Sequence, residues 1–241
     1  MQIFSITDVG KQRKTNQDAY FAAQIEDKAT VAIVCDGMGG ANAGNIASET
    51  AIKSISDYII RSYHKNMSGF DIEKMLKNAI ASANIEIYDM ACNDPTLNGM
   101  GTTVVVAFAE GDDVIIAHVG DSRAYLVSDE FVQLTRDHSI VQSLLESGKI
   151  SPEDAKVHPK KNVITRALGV EESVISDCSS VTLSAGNTLL LCTDGLTGFV
   201  EAEDIFNTVR NTESKNLPSE LVRLANDNGG GDNITVVALV K

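Results

Sequence analysis

Val31–Gly40, VAIVCDGMGG, reads as five apolar residues running into one aspartate and a glycine-dense turn. A short, unbroken run of this kind, rich in Val and Ile, marks a buried strand, and the glycines behind it mark the turn that ends it. An aspartate placed where a core strand stops is held rigidly and still reaches solvent, as a metal or phosphate site requires. The arrangement returns at Thr188–Leu196, TLLLCTDGL, and a third acidic turn, GGGDN at 229–233, precedes another apolar run.

Upstream, Gln2–Thr7 and Ala19–Ala23 are expected strands on either side of the polar loop 8–18, and 24–30 reads as a hairpin connection. Downstream, the period changes. Ile46, Ala47, Ala51, Ile55, Tyr58 and Ile59 recur at steps of three and four, predicting an amphipathic helix to about Tyr63 with Asn42 or Asn45 as cap, and Asp71–Ala91 repeats the pattern. Thr102–Ala109, Val114–Val119 and Arg123–Val127 follow as strands joined by EGDD and GDS, links too short for crossover helices, so the spacing predicts three antiparallel neighbours. A short strand at Phe131–Leu134 and a helix over 138–147 come next. Ser151-Pro152-Glu153-Asp154 has the cap, proline and acids of a helix start, inside a polar stretch, 148–163, expected to form a flap. Strands at Val174–Leu183 and Thr188–Thr193, helices near 203–210 and 218–226, and a last strand Ile234–Val240 complete the chain. Without regular βα alternation, this order predicts α+β architecture, or a sandwich of antiparallel sheets flanked by helices.

The 241 residues are 43% hydrophobic and 22% charged, with four prolines and no linker-like segment, which predicts a single domain over 1–241. A formal charge of −13 disfavours nucleic acid and anionic membranes as partners. The four cysteines show no CxxC spacing, and two sit within apolar runs, the pattern of small core residues. Residues 1–10 lack a basic region followed by an apolar one, and a cytoplasmic location is expected.

Asp36, Asp121, Asp194 and Asp232 each stand beside a glycine next to an apolar run, and Asp8 and Asp18 lie in the N-terminal loop. Any one alone reads as a turn residue or a helix cap. If the turns meet at one edge of the sheets, however, the carboxylates form a cluster whose mutual repulsion calls for cations. Oxygen donors without a matching histidine or cysteine set point to Mg²⁺ or Mn²⁺. Two such ions about 3.5–4 Å apart can activate water and neutralise a phosphoryl group, which favours metal-assisted hydrolysis. Arg13 supplies the complementary cation, since a guanidinium can hold two phosphate oxygens in a fork.

In these motifs the chain resembles the bacterial metal-dependent phosphatases of the protein phosphatase 2C (PPM) type. The similarity runs through TDVGKQRKTNQDAY at 7–20, VAIVCDGMGG at 31–40, MGTTVVVAF at 100–108, VGDSRAYL at 119–126, LTRDHS at 134–139, ITRALG at 164–169, LLLCTDGLTGFV at 189–200 and GGGDNITVVAL at 229–239. It implies a four-layer α-β-β-α sandwich of two antiparallel sheets flanked by helices. It also implies hydrolysis of phosphoserine and phosphothreonine in proteins by a metal-activated water, without a phosphoenzyme. Carried over residue by residue, it makes Asp36 the bridge between two ions, with the Gly37 carbonyl on one and Asp194 and Asp232 on the second. Asp121 joins Asp194 at a third ion, Asp18 acts through metal-bound water, and Arg13 clamps the phosphate. The implied partners are phosphorylated proteins, including a Ser/Thr kinase and its substrates, met by a monomer. Two other readings are a dedicated phosphatase of an anti-sigma-antagonist-like phosphoprotein and a phosphoprotein-binding pseudophosphatase. Met38 stands where animal relatives place a histidine and cannot transfer a proton. Arg123 and Arg166 read as structural, with Arg166 closer to the flap and peptide surface, and His138 reads as structural or as standing just behind the site.

Overall fold

The computed structural model describes residues 1–26, 29–40 and 43–241. One antiparallel sheet takes the order β1 (Gln2–Asp8), β11 (Ile234–Val240), β10 (Thr188–Cys192), β7 (Arg123–Val127), β8 (Phe131–Gln133). The second runs β2 (Asp18–Glu26), β3 (Ala29–Met38), β5 (Val104–Glu110), β6 (Asp113–Val119), β9 (Asp177–Thr182), with the two-residue β4 (Gly101–Thr102) paired to the end of β3. Helices α1 (Ala43–Ser62) and α2 (Gly69–Asn93) cover the second sheet. The short α3 (Ile140–Glu146) and α4 (Pro152–Val157) follow β8, and α5 (Asp194–Thr197), α6 (Ala202–Asn211) and α7 (Leu217–Asp227) cover the first sheet.

Strand alternation builds three cores from these layers. On β3, Val31, Ile33 and Cys35 face Ala47, Ile55, Leu76 and Ile80 of the helices, while Ala32 and Val34 face Leu189, Leu191, Val237 and Leu239 of the other sheet. On β10 and β11, Leu190, Cys192, Ile234 and Val236 turn outward to Leu221 and Ala225. Fully burying side chains of this size is worth about 1.5–3 kcal/mol each. This is why the run at 31–35 is apolar at every position: a helix layer lies on one face and a sheet on the other. The two sheets and flanking helices are the expected architecture. No helix among the described residues is long and apolar enough to cross a membrane.

Three local expectations are corrected. Arg123–Val127 is not a neighbour of Val114–Val119, because β6 has both edges taken by β5 and β9, and β7 pairs with β10 and β8 instead. The GDS link is therefore a crossing between sheets, made at Gly120, where φ is +104° and a Cβ would stand 2.6 Å from the Thr103 side chain. Secondly, β3 does not stop before Asp36. Pairing of Gly37 with Thr102 and Met38 with Gly101 carries the strand on, and the turn begins at Gly39. Asp194, likewise, opens the one-turn helix α5 rather than a glycine loop. Thirdly, Asn45 lies inside α1 rather than capping it; Asn42 and the tip of the 24–30 connection lie outside the described residues. α2 begins with a capping box the periodicity does not reveal: Ser68 Oγ accepts from the Asp71 N–H, and the Ser68 N–H donates to Asp71.

Candidate active site

Asp18 and Asp36 face each other in the register of β2 and β3. The backbone of Asp36 is fixed by the MGTT motif, its N–H donating to Thr103 Oγ1 (3.0 Å) and its carbonyl accepting from the Thr103 N–H and Thr102 Oγ1 (both 2.9 Å). Gly37 must be glycine, because a Cβ would lie 2.0 Å from the Gly44 carbonyl where α1 approaches.

Asp18 ties the two sheets together at this end. Its Oδ2 accepts from Thr193 Oγ1 (2.8 Å), just past β10, and from Thr235 Oγ1 (2.7 Å) of β11. Thr193 Oγ1 accepts in turn from the Thr235 N–H, and the Thr235 and Thr7 hydroxyls share a 2.7 Å hydrogen bond. Sequence reasoning missed both threonines; the only available signal was their place beside the DG and DN pairs.

The loop carrying Arg13 is stapled by Asn233. Its amide donates to the carbonyls of Val9 (2.9 Å) and Thr15 (3.0 Å), and its Oδ1 accepts from the Gln17 N–H (2.8 Å). Arg13 Nη2 meets Asp232 Oδ2 at 2.8 Å, and the Arg13 side chain remains about half exposed. Arg123 makes a paired contact with Asp137, and its charge reaches Asp121 and Asp194.

The charges of Asp18, Asp36, Asp121, Asp194 and Asp232 act on one another. Burial pushes the Asp36 carboxyl well above the usual range, and the charges of Asp18, Asp194, Asp121 and Asp232 push it further. Asp18 rises to about 7, chiefly by burial, against the pull of its two threonine hydroxyls. Asp121 also rises to about 7 through burial and the charge of Asp194. Asp194 is raised by burial and by Asp232, while a hydrogen bond with Asp36 draws it back. Asp18 Oδ1 and Asp194 Oδ1 are buried with no hydrogen-bond partner among the described residues. Orphaned carboxylate oxygens in a like-charged, desolvated cleft are suited to a hard divalent cation, so the residues fit Mg²⁺ or Mn²⁺.

His118, His138 and Asp177 also bring potential ligand atoms within 4.8 Å of one another. That group does not suit a cation. Its imidazoles are stacked at 16°, His138 Nδ1 already accepts from the Gly120 N–H, and the Arg166 guanidinium reaches His138 Nε2 (3.2 Å) and Asp177 (2.9 Å). Cys35 and Cys192 are fully buried, their thiols pushed well up and to about 12 by burial. Beside Met38 opens a cavity of about 360 Å³ walled by Ile164, Arg166, Val170, Val174 and Ile175.

A family model described as protein phosphatase 2C matches residues 10–226. The chain is 43% identical over 235 residues to the serine/threonine phosphatase stp of Listeria innocua serovar 6a, covering 96% of this chain and 92% of that one. Its fold matches the serine/threonine phosphatase of S. agalactiae with a TM-score of 0.92 at 35% identity, over 100% of this chain and 99% of that one. The catalytic domain of the serine/threonine protein phosphatase PstP, solved in complex with 2 manganese ions, matches with a TM-score of 0.85 at 32% identity, over 98% of this chain and 96% of that one.

Proposed function

The chain belongs to the protein phosphatase 2C family, and from that premise we propose how its carboxylate cluster performs the reaction. It is a metal-dependent protein serine/threonine phosphatase acting on phosphoproteins. The single observation that carries the residue assignment is the convergence of five aspartates around two orphaned, buried carboxylate oxygens.

In this reading Asp36, the Gly37 carbonyl, Asp194 and Asp232 would hold two cations, and Asp121 with Asp194 would hold a third. When bound, the cations supply the Lewis acidity that makes water nucleophilic at neutral pH and offsets phosphoryl charge. Asp18, locked by Thr193 and Thr235, presents its free Oδ1 to orient that water. Arg13, held beside Asp232, offers its fork to the phosphate oxygens. The water oxygen bonds to phosphorus as the bond to the serine or threonine oxygen breaks. The core thiols Cys35 and Cys192 are buried with their pKa pushed up and are not the nucleophile. Met38 gives no proton, so the leaving alkoxide takes one from a cleft water or a neighbouring acid.

Residues 1–241 act as one catalytic unit, with 148–163 as its flap. The Val163 carbonyl accepts from the Ile140 N–H (3.0 Å), which returns the end of this segment to the start of α3. The polypeptide flanking the phosphoresidue lies toward the cavity beside Met38, which shares the Asp36 face of β3 by strand alternation. The substrates are proteins phosphorylated by bacterial Ser/Thr kinases, the kinase among them, and the enzyme works as a cytoplasmic monomer.

Phosphate release from a phosphothreonine peptide is expected to require Mn²⁺ or Mg²⁺ and to fall to background in excess EDTA. Equal turnover with and without EDTA would contradict the reading.

A further inference from the structure

His138 is buried, 2% exposed, and holds both polar backbone atoms of the residue before Asp121. The His138 N–H donates to the Gly120 carbonyl (2.9 Å), and the Gly120 N–H donates to His138 Nδ1 (3.1 Å). Accepting at Nδ1 places the ring proton on Nε2, which faces Asp177 Oδ2 at 3.2 Å. The other Asp177 oxygen takes the Arg166 guanidinium at 2.9 Å. The His138 carbonyl accepts from the Thr165 N–H (2.7 Å), and its ring stacks on His118 at 4.8 Å between centroids.

Gly120 is the point where the chain crosses between the sheets, with φ at +104°. A glycine in that conformation has no side chain to hold it, so the aim of the next residue depends on what binds its amide. We propose that His138 is a positioning residue for Asp121. Through the Gly120 amide it sets where the Asp121 carboxylate stands in the cluster, and Asp177 keeps the imidazole in the tautomer that can do so. The proposal rests on the reading of Asp121 as a ligand of the third cation.

Asp177 matters because Arg166 Nη1 lies 3.2 Å from the same Nε2. Without the carboxylate, the guanidinium would donate to Nε2, moving the ring proton to Nδ1, where it would oppose the Gly120 N–H. Both hydrogens would then point at each other across the contact that orients the turn.

The test uses the asymmetry between two substitutions. His138→Asn places its amide oxygen near Nδ1 and keeps the acceptor for Gly120 while losing the reach to Asp177. His138→Gln keeps the reach and loses the acceptor. Calorimetric titration with Mn²⁺ reads the weakest binding step in each variant, and melting in EDTA checks that both are folded. His138→Gln is expected to weaken that step by roughly 10–100-fold, the usual cost of losing a residue that orients a ligand, and His138→Asn by less than about threefold. Asp177→Ala, at a partly exposed side chain, is expected to weaken it by about tenfold. Equal losses in the Asn and Gln variants, or an unchanged Asp177→Ala protein, overturn the proposal. If His138→Gln does not fold, Asp177→Ala alone decides. Asp121→Asn separates the two levels: if it leaves the weakest step intact, the ligand assignment itself fails, whereas loss there with none in His138→Gln removes only the positioning role.

Discussion

Asp36→Asn is expected to lower kcat/KM for a phosphothreonine peptide by about 10³-fold, roughly 4 kcal/mol of transition-state stabilisation, while making the chelated protein more stable. The opposite signs come from one cause. Asp36 sits in the middle of the cluster, its carboxyl raised by burial and by four neighbouring carboxylates, so without cations its charge works against the fold. An asparagine keeps the shape and can still hydrogen-bond Asp194 while removing that charge. With cations, the proposed assignment makes the same substitution the loss of the central ligand. Melting in EDTA should rise by several degrees, on the scale of about 2–4 °C per kcal/mol for a chain of this size. Addition of Mn²⁺ should then raise it less than in the wild type. A variant that loses activity and also melts lower in EDTA would show Asp36 to be a structural strand residue.

The second large effect is the pH dependence of the metal-free protein. Asp18 and Asp121 are each raised from 3.8 to about 7, and Asp36 and Asp194 are raised as well. The folded state therefore binds protons more tightly than the unfolded chain. The resulting stability is fully present below the unfolded carboxylate pKa and is lost as pH rises through about 7. In EDTA the melting temperature should be higher at pH 5 than at pH 8, by on the order of 10 °C. Mn²⁺ is expected to oppose the trend, because cations bind ionised carboxylates, and the gain on adding Mn²⁺ should be larger at pH 8 than at pH 5. Thermal melts at the two pH values, with and without the ion, check this. A flat profile in EDTA would mean that the carboxylates are not desolvated together.

What was legible in the chain divides along physical lines. Ile234–Val240 and the paired helices were legible because a buried face imposes its period directly on the residues, and β11 begins and ends where that reading placed it. The aspartates were legible because each adjoins an apolar run that must be core. Partner choice was not. GDS has the composition of a hairpin turn, and nothing local reveals that β9 already occupies the far edge of β6 and sends Arg123–Val127 to the other sheet. Nor could the threonines that seat Asp18 be found locally, since they lie 175 and 217 residues away and a threonine at a strand end needs no special reason. The extension of β3 through Asp36 escaped notice for a related cause. Its partner, β4, is two residues long and carries no period.

The central claim is that this chain's cations sit on the oxygen cluster at the edge of the two sheets. Anomalous diffraction at the manganese edge from Mn²⁺-soaked crystals tests it most directly. The account predicts two strong peaks among Asp36, Asp194 and Asp232, with a third, weaker one at Asp121. Peaks beside His118 and His138, with none at Asp36, would contradict it.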